Sequence, residues 1–87
     1  MKYTVTYKPS AEHELAAIWT AAADRGIVAA AADRLDVLLG RDPMARSESR
    51  RETVRIQFEY PLAVLFKVSE PDRIVEVLHI YRTDERS

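Results

Sequence analysis

Between Arg55 and Arg82 the chain reads RIQFEYPLAVLFKVSEPDRIVEVLHIYR, and this stretch limits the fold more than any other. Three runs rich in Val, Ile, Leu, Phe and Tyr are separated by two short breaks, Glu59-Tyr60-Pro61 and Ser69-Glu70-Pro71-Asp72. Proline pre-sets φ for a turn, and Ser and Asp side chains can hydrogen-bond the backbone beside them. Runs of this composition bounded by such breaks read as consecutive strands. Strict alternation groups Val54, Ile56 and Phe58 on one face of the first run, against Arg55, Gln57 and Glu59. In the second run Leu62, Val64, Phe66 and Val68 oppose Ala63, Leu65 and Lys67. Both faces are apolar except at Lys67, which makes this the central strand. The third run groups Val75, Val77, His79 and Tyr81 against Ile74, Glu76, Leu78, Ile80 and Arg82.

The segment before this sheet is helical, apart from an opening strand at residues 3–7 (Tyr-Thr-Val-Thr-Tyr). Pro9-Ser10 stops that strand. Ser10 is a good N-cap, and Glu12 and Glu14 then fall where the helix dipole favours carboxylates. Leu15, Ile18, Trp19 and Ala22 repeat at helical spacing and predict a core-facing stripe, Trp19 included, on a helix to about Ala23. Asp24-Arg25-Gly26 is the break, with Gly26 as a left-handed C-cap. A second helix is expected over residues 27–39, with Ile27, Ala31, Leu35, Leu38 and Leu39 as its stripe. Gly40 and Asp42-Pro43 end it. The short link implies an antiparallel helical hairpin. Residues 41–52, polar and rich in Arg, read as a loop. The fold class is therefore α+β, in the order β-α-α-β-β-β, with the helical hairpin packed on one face of a small, twisted, mostly antiparallel sheet. Alanine-rich outer helix positions and an open sheet edge leave apolar surface for a partner.

Eighty-seven residues suffice for one domain, taken as residues 1–87, and an apolar share of 47% supports a modest core. With no cysteine, disulfides and thiolate metal sites are excluded. His13, beside Glu12 and Glu14, reads as a solvated helix residue, and two histidines far apart make no metal site. Gly26 and Gly40 are the only glycines, so no phosphate-binding glycine loop is present. No cofactor is expected. No apolar run reaches membrane-span length and none opens the chain as a secretory leader, so a cytoplasmic protein with no membrane partner is expected. The net charge of −1 argues against a protein that lives on nucleic-acid backbones, though the stretch 41–55 is locally basic: Arg41, Arg46, Arg50, Arg51 and Arg55 against Asp42, Glu48 and Glu52.

The opening strand followed by AEHELAAIW (11–19), then Asp42-Pro43, Ser49-Arg50, the strand pair RIQFEYPLAVLFKV, the turn Asp72-Arg73 and VEVLHIYR (75–82) together resemble the RelE/ParE superfamily. These are the toxin halves of type II toxin–antitoxin operons, often labelled plasmid stabilisation proteins. The resemblance runs over nearly the whole chain and rests on the order of weak motifs. It implies a growth-inhibiting toxin silenced by a cognate antitoxin that orders as it wraps the toxin. RelE-like members cleave mRNA on the ribosome and are mRNA interferases. ParE-like members share the fold, lack the nuclease residues and inhibit DNA gyrase. Both mechanisms, and a degenerate non-toxic antitoxin-binding form, stay open at this point, as does a homodimer beside the toxin–antitoxin hetero-oligomer.

For the endoribonuclease, the resemblance implies His79, Tyr81, Arg82 and Glu48 as catalytic candidates. Histidine is the natural acid or base near neutral pH, Tyr81 could stack on a base, Arg82 could fork onto a phosphate, and Glu48 is the general base of its stretch. Arg50, Arg51, Arg55 and Lys67 are candidates for holding RNA or the antitoxin. Against these roles stand plainer ones. Alternation packs His79 and Tyr81 beside Val75 and Val77. Arg82, at a strand end, would be an exposed surface arginine. The arginines of 46–55 could be neutralised by Glu48, Glu52 or Glu76, and Lys67 could snorkel at the sheet rim.

Overall fold

The structure, a computed structural model, describes residues 2–84. Of the expected domain, Met1 and residues 85–87 lie outside the described residues. In chain order the elements are β1 (Thr4–Tyr7), α1 (Pro9–Ala21), α2 (Arg25–Arg41), β2 (Glu48–Arg51), β3 (Val54–Glu59), β4 (Leu62–Ser69) and β5 (Ile74–Arg82). The strands form one sheet in the order β1-β5-β4-β3-β2. All neighbours are antiparallel except β1 and β5, which run parallel with Val5 opposite Val75. β4 is central, as its two apolar faces require. The turns fall at Tyr60-Pro61, whose peptide bond is cis, and at residues 70–73.

The helices cover one face. Ala11 of α1 and Val28, Ala31, Leu35 and Leu39 of α2 meet Leu62, Val64 and Phe66 of β4 and Val75, Val77 and Ile80 of β5 in a single buried cluster. In α2 the stripe is shifted: Val28 is buried and Ile27 lies 54% exposed. The larger correction is Trp19, expected in the core and found 47% exposed. Only Ala11 of α1 is fully buried. Leu15, Ile18 and Ala22 lie partly buried against the cluster, and Trp19 sits on the outer flank of that face.

Several boundaries move. α1 begins at Pro9, with Lys8 as N-cap and no side-chain cap, because proline's fixed φ and missing N–H suit the first helical position. The break between the helices is the extended backbone of Ala22, and Gly26 belongs to α2 with no positive φ. Gly40 lies in the last turn of α2, where its carbonyl accepts the Tyr3 N–H at 2.7 Å. The expected loop 41–52 contains a fourth strand after the helices, β2, paired with β3 through Glu48–Ile56 and Arg51–Val54. Among the described residues no helix is long and apolar enough to cross a membrane.

The consequential departure is inside β5. Leu65 of β4 lies opposite His79, but Phe66 lies opposite Val77, so Leu78 is an extra residue, a β-bulge. A bulge inserts one residue and reverses the facing of every side chain beyond it. Val75 and Val77 point at the helices, and after the bulge Ile80 (2% exposed) and Arg82 do so. His79 and Tyr81 turn to the other face and are exposed. Simple alternation had given the opposite assignment.

Candidate functional site: the open face of the sheet

Residues directly opposite one another in a sheet share a face, so the register orders the uncovered face into three rows. The first is Phe58–Ala63–Tyr81. The second is Glu48–Ile56–Leu65–His79, and the third is Arg51–Val54–Lys67–Glu76. Ile56 and Ala63 are buried yet stand outside the helix-side cluster, as residues shielded by their neighbours on a separate face would. In the first row buried Ala63 separates two exposed aromatics, Phe58 at 47% and Tyr81 at 42%. Tyr60 projects at the same end, 67% exposed, with its hydroxyl donating to Asp84 at 3.2 Å. The Asp84 charge holds the Tyr60 phenol above its ordinary pKa.

His79 gains a partner from α1. One Glu14 oxygen accepts the Ile80 N–H at 3.1 Å, and the other lies 3.3 Å from His79 Nδ1. β1 accompanies β5 only as far as Tyr7 opposite Val77. Beyond that the β5 edge is unpaired, and Glu14 supplies the acceptor that a neighbouring strand would have given. The sequence offered no signal for this contact, which joins residues 65 positions apart.

Arg82 faces the helices rather than the open surface. Its Nη1 and Nη2 each donate to an Asp24 oxygen at 2.9 Å, and Nε and Nη2 donate to Asp84 at 2.8 and 3.0 Å. The side chain is 14% exposed, not the open strand-end arginine that its position suggests. Both carboxylates are held below the usual range, chiefly by these hydrogen bonds, and the guanidinium is raised by the same contacts. Asp24 lies at the start of α2, so the clamp ties the end of β5 to the link between the helices.

Arg55 is likewise on the helix-side face, opposite Phe66. It donates from Nε to Ser47 Oγ at 2.7 Å and from Nη2 to the Ser47 carbonyl at 2.9 Å, while Ser47 Oγ donates to the Pro43 carbonyl at 2.6 Å. It fastens the segment that leads into β2. Arg50, Arg51 and Glu48 are exposed on β2. Glu48 and His79 stand at opposite ends of one row, three strand spacings apart, roughly 14 Å. The eight candidates therefore divide. His79, Tyr81 and Lys67 are neighbours on the open face, Glu48 and Arg51 are at its far edge, Arg50 is at the β2 irregularity, and Arg55 and Arg82 are occupied on the other side. Phe58, which the sequence reading left out of the site, belongs to the open face, and Tyr60 stands exposed in the turn beside it. The alternation that groups Phe58 with Val54 and Ile56 was the available signal for Phe58.

No protein-family model matches the chain, and no curated protein matches it in sequence. Solved structures do match in shape. A chain of the RelBE2 toxin–antitoxin complex from Mycobacterium tuberculosis superposes with a TM-score of 0.77 at 20% identity, over 94% of this chain and 99% of that one. A chain of the RelE–RelB complex from Pyrococcus horikoshii OT3 gives 0.70 at 13% identity, over 99% and 100%. A chain of the chromosomal ParDE system of P. aeruginosa gives 0.70 at 16%, over 95% and 98%. Over the described residues the chain has the α+β fold of the RelE/ParE toxin structures.

Proposed function

We propose that this chain is the toxin half of a type II toxin–antitoxin pair, that a cognate antitoxin holds it inactive, and that it acts in the cytoplasm by binding a protein target rather than by cutting RNA. The toxin reading is supported by the fold, shared over almost the full length with chains of three toxin–antitoxin systems. One observation carries the choice of mechanism: the Arg82 guanidinium is already held by two carboxylates, through four hydrogen bonds. Phosphoryl chemistry on RNA needs preorganised cations at the developing charge beside an acid and a base. Around His79 the open face offers Lys67, itself opposite Glu76, while Arg55 and Arg82 face away. What the face does offer is two exposed aromatic rings about a small residue, the kind of anchor that protein interfaces use. DNA gyrase is the target that the ParE-like side of the resemblance implies.

The second reading is ribosome-dependent mRNA cleavage. It is favoured by one feature, the exposed pair His79 and Tyr81 on a single face with Lys67 diagonal to His79. Expression of the chain alone, then together with the product of the adjacent gene, tests the toxin reading. Growth arrest that the second protein relieves is expected. Unimpeded growth in both cultures would refute it.

A further inference from the structure

The sheet ends in two outer edges, β1 and β2. The β1 edge runs beside α2: the Tyr3 N–H reaches the Gly40 carbonyl, and the Tyr7 hydroxyl donates to Asp36. The β2 edge has no such cover. Among the described residues, Glu48, Ser49, Arg50 and Arg51 make no backbone hydrogen bond beyond the ladder to β3. All four are exposed, and among the described residues Glu48, Arg50 and Arg51 take part in no ion pair. Edge strands are commonly guarded by charge, and a run of one sign repels a second copy. β2 instead carries both signs, in the order Glu-Ser-Arg-Arg. Set against itself in reverse, that order places glutamate opposite arginine at both ends.

The irregularity in β2 decides where these side chains point. Glu48 lies opposite Ile56 and Arg51 opposite Val54, so both stand on the open face. Residues three apart in a regular strand face opposite sides. The register shift between Ser49 and Arg51 adds one residue and brings Glu48 and Arg51 onto the same side. Two copies of a strand that meet antiparallel about a twofold axis normal to the sheet keep the same face upward, and residues opposite one another share that face. A regular β2 could not set Glu48 against Arg51 of a second copy. The bulged β2 can.

We infer that the β2 edge recognises itself: two copies of this chain pair antiparallel through β2, with Glu48 of each opposite Arg51 of the other. The two sheets then join into one, with both open faces on the same side. The row His79–Leu65–Ile56–Glu48 of one copy runs on into the row Arg51–Val54–Lys67–Glu76 of the second copy. The contact is isologous and consumes the uncovered edge of each copy, so it closes at a dimer. β2 has four residues, about 13 Å of strand, far less than a standard interface uses, so association is weak and concentration-dependent. The inference uses only register and charge and stands apart from the toxin reading.

Sedimentation velocity of the full chain, from micromolar to millimolar concentration, tests the pairing. The mass is expected to climb from monomer towards dimer and no further, and to fall back as salt is raised. Glu48→Arg alone and Arg51→Glu alone each set like charges opposite one another, and each is expected to weaken dimerisation about tenfold or more with unchanged circular dichroism. Mixing the two variants in equal amounts sets unlike charges opposite one another at both positions. The mixture is therefore expected to recover the association that neither variant shows by itself, which also shows that both are folded. A parent that stays monomeric throughout, a dimer indifferent to both reversals, or a mixture no more associated than its parts would overturn the assignment. Growth arrest is scored separately, so a chain that dimerises but arrests nothing refutes the toxin reading alone.

Discussion

Replacing Ile80 and, separately, His79 with alanine tests the β5 bulge. Ile80 is 2% exposed in the cluster beneath the helices, so nearly its whole side chain counts as buried. Truncating a buried isoleucine to alanine costs about 3 kcal/mol, the transfer loss plus the cavity left behind. For a domain of this size each kcal/mol moves the melting temperature by about 4–8 °C, so Ile80→Ala is expected to melt about 12–24 °C lower. His79 has a side chain 55% exposed and one surface contact with Glu14. A pair of that kind contributes at most about 1 kcal/mol, so His79→Ala is expected to stay within about 8 °C of the parent. Thermal unfolding followed by circular dichroism measures both. Without Leu78 as the extra residue, His79 would pack with Val75 and Val77 and Ile80 would face solvent. A larger loss for His79→Ala than for Ile80→Ala would refute the bulge and the open-face site built on it.

Three further outcomes follow from named contacts. Asp24 and Asp84 are depressed by Arg82, so their stabilisation is present above the usual carboxylate range and is lost as pH falls through and below it; urea titrations of Arg82→Gln below about pH 4 should show a flatter acid dependence than the parent. Tyr7 is raised, by burial and then by its hydrogen bond to Asp36, so the parent should lose stability as pH climbs above about 10, and Tyr7→Phe should lose less over that range in the same titration. Gly26 lies in the first turn of α2 with open space where a Cβ would stand, so Gly26→Ala should raise stability by about 0.5–1 kcal/mol, read as a higher melting temperature.

Burial explains which parts of this account could be read from the sequence. β3, β4 and the first half of β5 announce themselves because at least one face is apolar and the turns carry proline. β2 is ESRR, exposed at all four residues, and an edge strand with no buried face leaves no alternation to find. The bulge did leave a trace: the apolar positions 75, 77, 78 and 80 step out of strict alternation at Leu78, and that slip was the available signal for the facing of His79, Tyr81 and Arg82. Trp19 carries the spacing of a core residue, but alanine at 16, 29 and 32 leaves the groove beside it unfilled, a fact about the facing helix that a single helix cannot reveal. The Arg82 clamp joins residues 58 positions apart and has no local pattern at all. Local periodicity thus gave the architecture, while the pairing of charged side chains, which decides what the surface can do, needed the tertiary structure.

The claim that this surface binds rather than cuts is tested most directly by mapping transcript 5′ ends in cells expressing the chain without its neighbour. Arrested growth with messages intact is the predicted result. New 5′ ends within translated messages would contradict it and return His79, Tyr81 and Lys67 to the role of a nuclease site.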